Sequence, residues 1–202
     1  MIRNYSIFII SFLSLLSPNS HAESNVAAGK EKSQVCAACH GVDGNSSNPN
    51  WPKLAGQHAE YIVKQLTDFK SGSRENVQMS PMAANLSEQD VLDLAAYYSS
   101  QKINQGKTDP AALVPGEKIY RAGSIDAGVP ACTACHGPNG RGNTAALYPA
   151  LGGQYAAYTQ AQLKAFREGA RTNDNNSVMR TIVKRITDDE IKAVSEYIQG
   201  LH

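Results

Sequence analysis

The chain has 202 residues, 18% charged and 42% hydrophobic, an ordinary soluble composition that argues against a disordered or fibrous protein. Its formal charge of +1, with 19 Lys and Arg against 18 Asp and Glu, lacks the basic excess of a nucleic-acid-binding chain. The length suits two small domains or one medium one.

Residues 1–22 read as a signal peptide. Arg3 is their only charge, Ile7 to Leu16 form an apolar core, and Ser20 and Ala22 put small residues where a signal peptidase reads them. That core falls well short of the roughly 20 apolar residues a membrane-spanning helix needs. Cleavage after Ala22 would leave an exported chain with 8 basic and 9 acidic residues in 23–108, and 10 and 9 in 109–202.

The first distinctive stretch downstream is VCAACHG, Val35 to Gly41, followed by WPKLAGQ, Trp51 to Gln57. Ile62, Leu66 and Phe69 then recur at i, i+4 and i+7, which predicts a helix stopped by Gly72. Ser87-Glu-Gln-Asp90 opens another, with Asp where a capping box expects Glu or Gln. Val91, Leu94, Ala95 and Tyr98 supply its apolar stripe. Lys102 to Pro115 lacks helical periodicity and holds a glycine and two prolines, so it reads as a linker. The expected domains are 23–107 and 108–202.

The second half repeats the first. ACTACHG, Ala131 to Gly137, matches VCAACHG, and further matches recur at an offset of 96 to 100. Pro52 matches Pro149, Gly56–Gln57 matches Gly153–Gln154, and Tyr61, Gln65–Leu66, Phe69, Gly72 and Arg74 match Tyr158, Gln162–Leu163, Phe166, Gly169 and Arg171. Met79 matches Met179 and Tyr97 matches Tyr197. Thr187-Asp-Asp-Glu190 fits the capping box and opens a last helix carrying Ile191, Val194 and Ile198. Copies this long indicate duplicated domains rather than a solenoid. No stretch alternates at period two, so the expected fold is all-α. The copies differ at one place: Gly29 precedes Cys36 by 7 residues, whereas Gly116 precedes Cys132 by 16, with an insertion around Gly123 to Pro130.

All four cysteines lie in Cys36-Ala-Ala-Cys39-His40 and Cys132-Thr-Ala-Cys135-His136, the spacing of c-type haem attachment. Two thiols must reach the two vinyl groups of one porphyrin, and the adjacent histidine then sits under the iron. A thioredoxin-like redox pair would want a βαβ context, which the pattern lacks. A zinc site would want four ligands, with a second cluster at finger or knuckle spacing. The expectation is two covalently bound haem c groups on Cys36, Cys39, Cys132 and Cys135, with His40 and His136 as proximal iron ligands.

A methionine sulfur opposite histidine raises the potential and closes the iron, the electron-transfer arrangement. Met79 lies 8 residues before Ser87, and Met179 lies 8 before Thr187. That coincidence selects Met79 and Met179 as distal ligands over simple core filling. Met82, only 5 before Ser87 and matched by Ile182, stays as the alternative in the first copy. His58 faces Tyr155 in the repeat and reads as a surface residue near a helix start. Pro52 and Pro149, 12 and 13 residues after their histidines, could offer carbonyls to the imidazoles or be plain turn prolines. Arg74 and Arg171 read by default as solvated surface, with bonds to haem propionates as the functional alternative. Tyr97 and Tyr197 read as core packing.

Taken together, CAACHGVDGNS, WPKLAGQ, LAAYYSSQK, ACTACHGPNGRGN, REGARTND and SEYIQGLH resemble the cytochrome c4 family of dihaem class I cytochromes c, over essentially the whole exported chain. The resemblance implies two class I cytochrome c domains related by a pseudo-two-fold axis, each with a His/Met haem. It implies an electron carrier rather than an enzyme, working between a membrane quinol-cytochrome c reductase and a terminal oxidase. The implied location is the periplasm, free or loosely on the membrane surface. Two other functions compete: a dihaem peroxidase, which would need an open iron that the paired methionines argue against, and a cytochrome subunit docked to a sulfide- or alcohol-oxidising dehydrogenase.

Overall fold

A computed structural model describes residues 23–202; the signal-peptide reading of residues 1–22 lies outside them. Among the described residues the regular structure is helical apart from two isolated antiparallel bridges, Ser124 with Val129 and Asn143 with Tyr148. None of their helices is long and apolar enough to cross a membrane.

The first half runs α1 (Val26–Lys32), α2 (Gln34–His40), α3 (Ala59–Ser71), α4 (Met79–Ala84) and α5 (Glu88–Ser100). The second runs α6 (Pro110–Ala122), α7 (Thr133–His136), α8 (Ala156–Glu168), α9 (Val178–Ile182) and α10 (Asp188–Gly200). Helices α3 and α8 stop at Gly72 and Gly169, both left-handed, as the glycine signals predict. Both capping boxes form. Asp90 serves as well as Glu190, its carboxylate accepting from the Ser87 amide at 2.9 Å.

The linker is shorter than the sequence suggests. Helix α6 starts at Pro110 with the Asp109 side chain as its cap, and Pro115 lies inside the helix. A proline at the first helical position loses no bond, because that amide has no intrahelical partner. The non-helical connection is thus confined to residues 101–109, and the 107/108 division falls within it.

In each half the most extensive helix–helix contact is between the first and last helices, α1 on α5 and α6 on α10. The apolar stripe of the last helix turns inward, burying Leu94, Ala95, Tyr97 and Tyr98 in one half and Ile191, Val194, Tyr197 and Ile198 in the other. The insertion at Gly123–Pro130 forms the small bridged turn and adds Val129 to the second core.

The halves meet through hydrogen bonds, several of which come in exchanged pairs. Gln57 bonds both the amide and the carbonyl of Ala150, and Gln154 bonds both those of Lys53. Arg74 donates to the Tyr158 hydroxyl and Arg171 to that of Tyr61. In these pairs a contact of residue a with residue b of the other half is answered by the counterpart of b with the counterpart of a, the pattern of a two-fold relation. The solvated-surface reading of the arginines is therefore corrected. Arg171 is 8% exposed and bonds Gln65 and Gln162, as half-buried Arg74 also does. His58 is also more than a surface residue: its ring reaches across to the Arg141 carbonyl and the Thr144 hydroxyl.

Candidate functional site

The CxxCH stretch of each half folds as a short helix, α2 and α7, that ends on the histidine itself. The following glycine, Gly41 or Gly137, has φ near +78° and turns the chain away. Cys36 and Cys132 pack against the two apolar cores, Cys39 is exposed and Cys135 half-buried, and no disulfide joins any of the four.

His40 and His136 are each 6% exposed. Their Nδ1 atoms lie 2.9 Å from the Pro52 carbonyl and 3.0 Å from the Pro149 carbonyl. A carbonyl can only accept, so Nδ1 carries the proton and Nε2 keeps its lone pair. Burial is the larger influence on both imidazoles and pulls their pKa down, opposed by the carbonyl bond. The result is two neutral imidazoles with one orientation and one free donor atom each, the form that ligates a metal. Of the two readings of the prolines, the geometry selects the carbonyl acceptor. This donor set fits a haem iron, and the two thiols sit one helical turn and one residue before each imidazole.

Buried tyrosines fix the backbone beyond each histidine. Tyr97 donates to the Val42 carbonyl at 2.7 Å and Tyr120 to the Gly137 carbonyl at 2.6 Å. Tyr97 is thus core and anchor at once.

Met79 opens α4, half-buried, its amide capped by the Asn76 side chain at 2.9 Å. Met82, on the same helix, is 48% exposed. Met179 lies in α9 and packs against the second core. The chain reaches it through two left-handed residues, Asn176 and Ser177, held by an Asp174–Arg180 ion pair of 2.7 Å whose aspartate is 5% exposed. The sequence reading gave no role to Gln57, Gln154, Gln65, Gln162, Tyr61 or Tyr158. Their signal was present: polar residues matched in both copies mark positions with a shared structural task.

Fold and site together define a c-type cytochrome built twice, with two covalently bound haem c groups. The cytochrome c family model matches residues 26–102 and again 113–202. Cytochrome c4 of Azotobacter vinelandii is 51% identical over 193 residues, covering 91% of this chain and 92% of that protein. The crystal structure of reduced recombinant cytochrome c4 from Pseudomonas stutzeri superposes with a TM-score of 0.86 at 52% identity, covering 89% of this chain and all of the other. A thiosulfate dehydrogenase electron acceptor of Thiomonas intermedia is 40% identical, covering 88% of this chain and 83% of that protein. The chain belongs to the cytochrome c4 family, and it is a periplasmic dihaem electron carrier rather than an enzyme.

Proposed function

We propose that Cys36 and Cys39 hold one haem c by thioether bonds and Cys132 and Cys135 the other, in domains 23–107 and 108–202. His40 and His136 bind the irons through Nε2, and Met79 and Met179 supply the opposite sulfurs. Haem c, when bound, supplies a one-electron iron couple. The protein's part is to fix each imidazole, keep it neutral and dry, and close the iron with a thioether so that electrons pass without ligand chemistry. The observation that carries this reading is the repeated 2.9–3.0 Å bond from a buried imidazole Nδ1 to a proline carbonyl. The half-burial of Met79, against the exposure of Met82, supports the choice of sulfur in the first domain.

Electrons arrive from a membrane quinol-oxidising complex and leave to a terminal oxidase, with the protein free in the periplasm or loosely at the membrane surface. A second reading, in which they arrive from a sulfur-compound dehydrogenase, is favoured by the likeness to the Thiomonas electron acceptor. A reductive titration of the exported protein, followed by absorption with haem counted per chain, tests the sites. Two low-spin haems inert to carbon monoxide are expected, and a carbon-monoxide-binding component would overturn the His/Met assignment. Reduction rates with a purified quinol-oxidising complex and with a thiosulfate dehydrogenase separate the two donors.

A further inference from the structure

The carbonyl that holds each histidine belongs to a peptide unit whose N–H is bonded by the opposite domain. The Pro52 carbonyl accepts from His40, and the amide of that same peptide, on Lys53, donates to Gln154 Oε1 at 3.0 Å. In the other half the Pro149 carbonyl accepts from His136, and the Ala150 amide donates to Gln57 Oε1 at 2.9 Å. Each glutamine is locked. Its Oε1 also accepts the next amide of its own chain at 3.0 Å, from Tyr155 or His58. Its Nε2 donates to the Lys53 carbonyl at 2.9 Å or the Ala150 carbonyl at 3.0 Å.

We propose that Gln154 and Gln57 are crossed positioning residues, Gln154 setting the hydrogen bond of His40 in the first domain and Gln57 that of His136 in the second. The proposal rests on His40 and His136 being the iron ligands.

The physical basis is peptide resonance. An acceptor on the N–H draws the amide toward its charge-separated form, which makes the carbonyl oxygen a better acceptor. The imidazole Nδ1–H is then held more strongly, and the ring becomes a better donor to the metal. A more basic ligand favours the ferric state and lowers the reduction potential. Burial keeps the relay to His40 from being screened by water, with Lys53 5% exposed and Gln154 7%, while Gln57 and Ala150 in the relay to His136 are half-buried. The two domains thereby tune each other, and separating them would raise both potentials.

The crossing makes the test sharp. In the reduced dihaem protein with nitrogen-15 histidine, Q154L should move the haem-shifted His40 Nδ1–H resonance upfield and leave His136 in place. The potential of the first-domain haem should rise, and that of the second should stay. Q57L should do the reverse, although Gln57 belongs to the first domain. Q154E, which keeps an acceptor and adds negative charge, should lower the first-domain potential, so the effect survives as a sign reversal even if Q154L loosens the interface. A glutamine that merely glues the domains would move both haems alike, or its own domain's haem, and either result overturns the relay. A wild-type His40 resonance without a haem shift would instead overturn the ligand assignment and the relay with it.

Discussion

Gly29 lies so close to Asp93 that a β-carbon on it would come within 2.0 Å of the Asp93 carbonyl oxygen and 2.8 Å of the Tyr97 β-carbon. Helix α1 therefore crosses α5 backbone to backbone. Gly116 repeats the contact on α10, at 2.3 Å from the Ala193 carbonyl oxygen. The obstruction is backbone, which cannot rotate away. Gly116→Ala should cost at least the ~1–3 kcal/mol of ordinary overpacking. Gly72→Ala is the contrast: φ is +79° with nothing within 4 Å, so only the left-handed penalty of roughly 1–2 kcal/mol applies. Guanidinium unfolding of the holoprotein measures both. Equal losses would show that the crossing helices can slide apart.

That glycine also shows where the sequence becomes illegible. The duplication exposed many residues whose partners lie in their own copy: the CxxCH pairs, the two prolines, the helix stops and the last-helix stripe. Helix α1 went unread because its sequence, VAAGKEK, has no apolar stripe and a glycine in its middle, although the glycine is its contact. The start of α6 was masked by two prolines that suit a linker equally well. Arg74 and Arg171 were misread because surface exposure is the sound default for a lone arginine. Only the placement of the two copies reveals the neutral amides and phenols that receive them.

Acid should weaken the first domain through Asp93. Its carboxylate, 3% exposed, accepts from Lys32 at 2.6 Å and from the Asn25 amide and Gln89 at 2.8 Å. The Lys32 bond is the main reason its pKa lies below the ordinary carboxylate range; burial opposes it. A depressed folded-state pKa gives stability that is fully present above the unfolded value of about 3.9. That stability is lost as pH falls through the folded value. Asp90, also bonded to Lys32, shifts in the same direction. Asp93→Asn should therefore lower the denaturation midpoint at pH 7 and shrink its fall between pH 5 and about 2. An unchanged pH dependence would assign the acid sensitivity to other carboxylates.

The two candidate sulfurs of the first domain make opposite predictions. Met79→Ala should open one iron to carbon monoxide, lower one potential and leave the other nearly unchanged. Met82→Ala, at a residue 48% exposed, should shift stability by no more than about 0.5 kcal/mol and leave both potentials in place. Potentiometry with a carbon monoxide difference spectrum decides between them. The reverse pattern would move the ligand to Met82, one helical turn further along α4.

Arg171 should be the more sensitive of the two interface arginines. Its guanidinium lies 4.4 Å from the centre of the Phe166 ring and donates to Asn173, Gln162, Tyr61 and Gln65 at 2.8–3.0 Å, while 8% exposed. Arg74 stacks on Phe69 at 4.6 Å but is half-buried. Lysine preserves the charge at either position and loses the planar fork that serves several acceptors at once. Arg171→Lys should cost about 1.5–3 kcal/mol, the range for bonds to a charged group, because the acceptors left behind are shut off from water. Arg74→Lys should cost less, since water can replace part of what is lost. Small-angle scattering on the same variants would separate two mechanisms. A larger radius of gyration for Arg171→Lys alone would mean that the arginine holds the domains together. Lost stability at constant radius would mean that the glutamine pairs hold the interface and the arginine stiffens α8 against its own Phe166.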